Sequence, residues 1–342
     1  MNKADILFLN NKAMEELGAG DMKAAIDDVE QAYSLYEKGD VITPGKVVLR
    51  FGDKPEDEHV RGRINCMPGY IGGSYNMAGV KWIGSGPQNY KKGLPRASVT
   101  IILNDPDTKL PVCIADGTDV SAKRTGASGG TAIRLLSRED ASIMTICGAG
   151  VQSRTQMEAA MIVRPGIKRV FIYDLYLERA QTFAREMGSK YPSVEIAPIL
   201  EQDLGSSIKQ SDILITVTLA DEPFVKAEWL SKGTLVMNMA DQEVEYGCIS
   251  KADKIVVDFW EAIKHRMCSS IAHMWAAGLL KDEQIDAELG EIINGKKTGR
   301  DNNDQIIFFN AVGAGILDLA VAIRCYRKAL EVGKGINIPY WE

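Results

Sequence analysis

Residues 141–174 constrain the fold of this chain more than any other stretch. An apolar run, Ala-Ser-Ile-Met-Thr-Ile-Cys, leads into Gly148-Ala149-Gly150-Val151-Gln152-Ser153. A helix-compatible segment comes next, and a second apolar run, Arg169-Val-Phe-Ile-Tyr173, closes on Asp174. Strand, glycine turn, helix, strand and acid form one βαβ unit with a defined chemistry. The first glycine permits a tight turn, the second lets backbone approach a pyrophosphate, and the helix start offers N–H groups to the phosphate charge. Ser153 stands where a third glycine is usual and is small enough for close packing. Asp174 lies 24 residues after Gly150, near the spacing of about 20 expected for an acid that accepts from a ribose hydroxyl. The same carboxylate repels a 2′-phosphate, so NAD is expected in preference to NADP, with Arg179 nearby weakening that preference.

The chain beyond Asp174 is consistent with a doubly wound parallel sheet. Strand candidates at residues 194–197, 213–218, 234–238 and 254–258 alternate with helical segments. Right-handed crossovers put their carboxyl ends on one edge, which directs Thr216, Thr218, Asn238 and the acids after it toward the cofactor. Residues 282–293 read as a polar helix, 306–309 as a further strand, and 313–330 as a helix too apolar for a free surface.

The 118 residues before this fold read differently. A core-facing helix over residues 21–38 is capped by Asp21 and stopped by Gly39. Short β-type runs then cover 46–50, 62–66, 78–83 and 97–103, and the last forms a hairpin with 112–115 through Asn-Asp-Pro-Asp turn chemistry. No crossover helix is expected before residues 119–136. An antiparallel or mixed sheet results, in a domain of 1–118 completed by 309–342, with the nucleotide fold at 119–308. A length of 342 residues suits two such cores.

Charge and thiols narrow the partners. A net charge of -6 with no Lys/Arg block argues against nucleic acid. The six cysteines, without a C-x-x-C pair, are expected to be reduced thiols of a cytoplasmic protein, and His59, His265 and His273 form no ligand-spaced set with them, so no metal is expected. The first residues carry neither a signal-type core nor a membrane-length apolar run. A small-molecule substrate and a homodimer are the expected partners.

Several pieces now combine: Val80-Lys-Trp-Ile83, Ser121-Ala-Lys-Arg-Thr-Gly126, Gly148-Ala-Gly-Val-Gln152, Thr216-Val-Thr218, Gly299-Arg300, Phe309-Asn-Ala-Val-Gly313 and Asp318. In this order they resemble the ornithine cyclodeaminase and μ-crystallin family. The resemblance implies a dimeric, two-domain, dinucleotide-dependent enzyme acting at the C–N bond of an α-amino or α-imino acid. It places carboxylate-binding cations at Lys46, Lys81 and Arg124, a cofactor-phosphate contact at Thr125, a further cofactor contact at Ala311, and the acid that handles the substrate amine at Glu243, with Asp241 as a rival. Lys81 is also counted among the catalytic groups.

Three departures bear on the substrate. Glu243 stands where ornithine-cyclising relatives carry Asp, Gly247 replaces a lysine, and Asn65 replaces an acid two residues before Met67-Pro68. A neutral Asn65 binds the terminal ammonium of ornithine less well. The strings around Lys81 and Arg96 look closer to relatives that oxidise carboxyethyl-glutamate, in which Arg96 supplies an extra cation for an opine-like substrate. Ornithine cyclodeaminase proper, recycling its NAD, is the alternative, and a catalytically silent crystallin-like binding protein is a second.

Overall fold

In a computed structural model, described over residues 4–52, 62–220, 222–239 and 241–341, the chain forms two compact units. One comprises Met1–Arg124 with Ala314–Glu342, the other Thr125–Gly313. His59 lies outside the described residues. Among the described residues no helix is long and apolar enough to cross a membrane.

The first unit begins with β1 (Ala4–Leu9), α1 (Asn11–Glu16) and α2 (Met22–Glu37). Asp21 caps α2 by accepting from Ala24 N, and the helix buries Met22, Ala25, Ile26, Val29, Ala32 and Tyr33. Then come β2 (Val41–Ile42), β3 (Val47–Phe51), β4 (Gly62–Ile71), β5 (Met77–Ser85), β6 (Ala97–Asn104) and β7 (Pro111–Asp116). Helix α3 (Thr118–Leu136) begins in this unit and continues into the other.

The second unit runs β8 (Ile143–Cys147), α4 (Val151–Val163), β9 (Arg169–Tyr173), α5 (Leu177–Lys190), β10 (Glu195–Ile199), α6 (Glu201–Gln210), β11 (Ile213–Thr216) and β12 (Leu235–Asn238). It ends with α7 (Tyr246–Ser250), β13 (Lys254–Val257), α8 (Trp260–Arg266), α9 (Ser270–Ala276), β14 (Ala287–Glu288), α10 (Leu289–Ile293) and β15 (Ile307–Asn310). The chain then returns to the first unit as α11 (Gly315–Val332) and β16 (Ile336–Trp341).

The first sheet has the order β16-β1-β7-β6-β5-β4-β2, with β3 also on β4. It is mixed, because β1 is parallel to β7 while the hairpins from β4 to β7 are antiparallel. The strands run longer than the apolar runs in the sequence: β4 continues through Pro68, since cross-strand pairing carries it to Ile71. Helix α11 lies on β4, β5 and α2. Gly69 pairs with Gly79 across β4 and β5, and a Cβ on either would come within 3.0 Å of Ile316 or Leu319. These two glycines let the helix sink onto the sheet.

The second sheet is parallel throughout, in the order β10-β9-β8-β11-β12-β15-β13-β14. This is a Rossmann-type doubly wound sheet whose order reverses between β8 and β11, the place where such sheets bind ligands. Two expectations are corrected. Phe309 and Asn310 belong to β15, paired with β12 and β13, so the return to the first unit comes after Gly313 and not at residue 309. Residues 282–293 are not one helix: a 3-10 turn, the short β14 against β13, and α10 share the segment. Glu288 and Glu291 form a capping box that starts α10 anew.

Candidate active site

At the carboxyl end of β8, Gly148 has φ +98, and a Cβ there would stand 2.8 Å from the carbonyl oxygen of Val217. Only glycine fits this crossing between the turn and the segment after β11. Gly150 differs: it is extended, caps α4 without a side-chain hydrogen bond, and has nothing within 4 Å of an added Cβ. Open space at an uncapped helix N-terminus is what a phosphate requires. Asp174 accepts from Ala149 N at 2.8 Å through Oδ2 and from Tyr176 N at 3.0 Å through Oδ1. Its carboxylate therefore fixes the turn as well as placing negative charge at the end of β9. Val151 is exposed, Gln152 half-buried, and Ala149 buried. These residues fit a dinucleotide.

Arg154 is not singled out by the sequence pattern. Its Nη1 donates to the carbonyls of Ala149 and Gly150 at 2.8 and 2.9 Å, while Nε donates to Glu186 at 2.8 Å and the guanidinium lies over Phe183. Two successive carbonyls drawn to one side turn the neighbouring amides to the other. An arginine one helical turn after a glycine pair is the signal that identifies it.

The next strands contribute a polar row in register: Cys147 pairs with Thr216, Thr216 with Asn238, and Asn238 with Asn310. Glu243 is wholly buried beside it. Its Oε1 accepts from Thr218 N and Thr218 Oγ1 at 2.5 and 2.6 Å, and Oε2 accepts from Asn238 Nδ2 at 2.8 Å. Burial pushes this carboxyl up to about 7, against the pull of the bonds from Thr216, Thr218 and Asn238. Asp241 is the more exposed acid, with Arg266 at 3.6 Å. Ala311 is buried and donates from its backbone N to the Asn238 carbonyl at 3.4 Å. Thr125 is half-buried on α3, and its carbonyl accepts from Gln156 Nε2 at 3.0 Å.

In the first unit, strand alternation sends Lys81 inward, at 2% exposure, and its neighbour Trp82 outward, at 47%. The lysine Nζ lies 2.7 Å from Asp318 Oδ1 and donates to Ser121 Oγ at 2.7 Å, and Arg124 Nε lies 3.0 Å from Asp318 Oδ2. Two buried cations thus share one buried carboxylate. Burial brings Lys81 down to about 8, with Asp318 opposing that shift and Arg124 adding to it.

Register relates the other candidates to this cluster. Met67 pairs with Lys81 and Asn65 with Ile83, so Asn65 is on the Lys81 face one row along. Its Oδ1 is buried without a hydrogen-bond partner. Lys46, half-buried, immediately precedes β3, where Val47 pairs with Cys66, and so continues toward the Met67–Lys81 row. Arg96 is not brought to the cluster. It is exposed, and its carbonyl accepts from Gly86 N just beyond the end of β5, five residues from Lys81. Arg63, opposite Arg50, stands on the Asn65 face and is not singled out by the sequence.

A doubly wound sheet with a glycine turn at its switch point, joined to a unit carrying buried cations, defines a class of Rossmann-fold protein with a second domain. The chain belongs to the ornithine cyclodeaminase/mu-crystallin family, which it matches over residues 7–333. It is 31% identical to the N-((2S)-2-amino-2-carboxyethyl)-L-glutamate dehydrogenase of Staphylococcus aureus, over 99% of this chain and 100% of that one. Among solved structures it is similar to the Δ1-pyrroline-2-carboxylate reductase of Thermococcus litoralis in complex with NADH and L-proline, with 35% identity, a TM-score of 0.86, and 97% and 100% of the two chains covered. It is also similar to an archaeal alanine dehydrogenase dimer with bound NAD, with 33% identity, a TM-score of 0.88, and 98% and 100% covered.

Proposed function

We propose that this protein is an NAD-dependent oxidoreductase acting on the α C–N bond of an amino acid, an imino acid or an opine-like secondary amine through an imine. The observation that carries the reading is the buried charge count around Asp318: Lys81 and Arg124 supply two positive charges against one negative. An uncompensated buried charge is costly, and one further carboxylate, that of the substrate, completes the set. Arg124 suits a carboxylate through its paired N–H groups, Lys81 adds a point charge, and Lys46 approaches the same row. The neutral Asn65, with an unpartnered acceptor, suits an N–H donor.

The turn Gly148–Gln152, the start of α4, Arg154 behind it, Asp174, Thr216, Thr218, Asn238, Ala311 and Thr125 are the residues assigned to hold NAD, with NADP disfavoured by Asp174. NAD held by these residues would supply the hydride chemistry at Cα. Glu243 is assigned the amine proton, because a carboxyl that titrates near 7 takes and returns a proton at working pH. It is buried, so the proton passes through the half-buried Thr218 hydroxyl bonded to Oε1. Asp241 is the rival acid.

A homodimer in the cytoplasm is part of the same proposal. On the sheet face opposite Lys81, Val47 and Trp82 flank Cys66 in one row, with Leu49 and Phe51 exposed beside them. That apolar patch suits a second copy; light scattering on the eluting protein reads the mass.

The function is tested by absorbance at the NADH band. NADH is expected to be consumed with cyclic or acyclic α-imino acids, or to accumulate with an opine or simple amino acid. Ammonia and proline from ornithine without net NADH would instead establish the cyclodeaminase. Retained NAD affinity with no turnover across the panel overturns the enzyme reading in favour of a binding protein.

A further inference from the structure

Asp318 does more than balance charge, because its position is specific. It lies in the first turn of α11, on a helix otherwise buried through Ile316, Leu317, Leu319, Ala320 and Val321. It is itself fully buried. Gly69, Gly79 and Gly315 allow the close approach: a Cβ on Gly315 would stand 2.6 Å from the Met67 carbonyl oxygen, in the row that pairs with Lys81. Each carboxylate oxygen takes one cation, Oδ1 the ammonium of Lys81 and Oδ2 the Nε of Arg124.

We infer that Asp318 is a positioning residue that sets the spacing and charge of Lys81 and Arg124 for the substrate carboxylate. This inference rests on the proposed function for its substrate. An ammonium has three donors; Lys81 gives one to Ser121 and is paired in charge with Asp318, which leaves donor capacity for substrate. Holding the guanidinium at Nε leaves the edge with the terminal nitrogens for a second carboxylate. Asp318 also cancels one of the two positive charges, which favours the protonated form of Lys81. The charged groups against the Lys81 ammonium are Asp318 from α11 and Arg124 from α3. Ser121 on α3 adds a hydroxyl, and Met67 across on β4 is uncharged.

The test is Asp318→Asn, with KM for an accepted substrate measured at pH 6.5 and pH 9. Expected is a crossover. At pH 6.5, with Lys81 charged in both proteins, KM falls about threefold or more and kcat falls with it, as ground-state binding tightens. At pH 9 KM rises about tenfold, because Lys81 loses its proton at lower pH without the carboxylate. KM changing in one direction at both pH values overturns the inference, since structural damage alone behaves that way.

A readout independent of turnover is the Lys81 Nζ titration in 15N-lysine-labelled protein, assigned with Lys81→Arg. Its midpoint is expected to drop by about one pH unit in Asp318→Asn, and an unmoved midpoint overturns the inference. If wild type turns over no substrate, the proposed function fails and this titration still decides the role of Asp318. Should Asp318→Asn not fold, Asp318→Glu keeps the charge but displaces both cations: kcat is expected to fall at least tenfold with the alkaline limb unmoved, and an unchanged kcat overturns the inference.

Discussion

Glu243 Oε1 is bonded by both the backbone N–H and the hydroxyl of Thr218, at 2.5 and 2.6 Å, so one side chain fixes the segment after β11 and holds a titrating carboxyl. Glu243→Gln places an amide where three donors converge, and one donor must face another. Turnover is expected to fall by about 10²–10⁴, the range for a lost acid–base group, and stability by about 1–3 kcal/mol. Thr218→Val, which removes the hydroxyl and keeps the backbone bond, should lower kcat measured at saturating NAD. Full activity in Glu243→Gln, with Asp241→Asn inactive, would move the acid role to Asp241.

The raised Glu243 carboxyl has a stability consequence of definite sign. Its folded value, about 7, exceeds the ordinary value, so between roughly pH 4.5 and 7 the native state binds more protons than the unfolded one. This contribution favours the fold below that window and is lost as pH rises through it. Glu288, also raised to about 7 by burial, acts in the same direction. Urea midpoints are expected to fall across this window from these two groups, and the slope to flatten when Glu243 and Glu288 are both made Gln.

Gly148 and Gly150 are expected to separate fold from cofactor. Gly148→Ala meets positive φ and the Val217 carbonyl together, and costs at least about 1–3 kcal/mol. Gly150→Ala has open space and ordinary backbone, so Tm should hold within a degree or two. Its methyl occupies the phosphate approach, and calorimetry should show NAD affinity falling. Unchanged affinity would place the phosphates elsewhere.

Arg154→Gln releases the Ala149 and Gly150 carbonyls. The loss of one charge-assisted contact is worth about tenfold in NAD affinity. Glu186→Gln is expected to show a smaller change in the same direction. An Arg154 variant with wild-type affinity would reduce the residue to a surface ion pair.

Asp174→Ser removes the charge that opposes a 2′-phosphate, and Arg179, stacked on Tyr176, remains nearby. The NADP/NAD preference, read as the ratio of kcat/KM values, should rise by at least about tenfold, equivalent to ~1.4 kcal/mol.

The nucleotide unit is legible in the sequence because its signals are local. A glycine turn between apolar runs, followed by Asp174, specifies strand, turn, helix and acid within 34 residues, and the strand candidates after it take their places by the right-handed crossover rule. β1, β2 and β16 are not legible in the same way: β2 and β16 are edge strands and β1 sits between β16 and β7, so all three are defined by their partners more than by their own pattern.

Residue chemistry and order thus determined the family, the parallel sheet, the glycine turn and the cations at Lys81 and Arg124. Only the tertiary structure decided which charges meet. Asp318 reaches Lys81 across 237 positions of sequence because two paired glycines admit α11 to the sheet. Arg96, linked to the cations by resemblance, lies just before β6, five residues from Ile101, the partner of Lys81. Glu243 reads in sequence as an acid free to meet substrate, and folding buries it among Thr218 and Asn238. Side-chain pairing and desolvation depend on contacts between distant segments, and neither is encoded in local spacing.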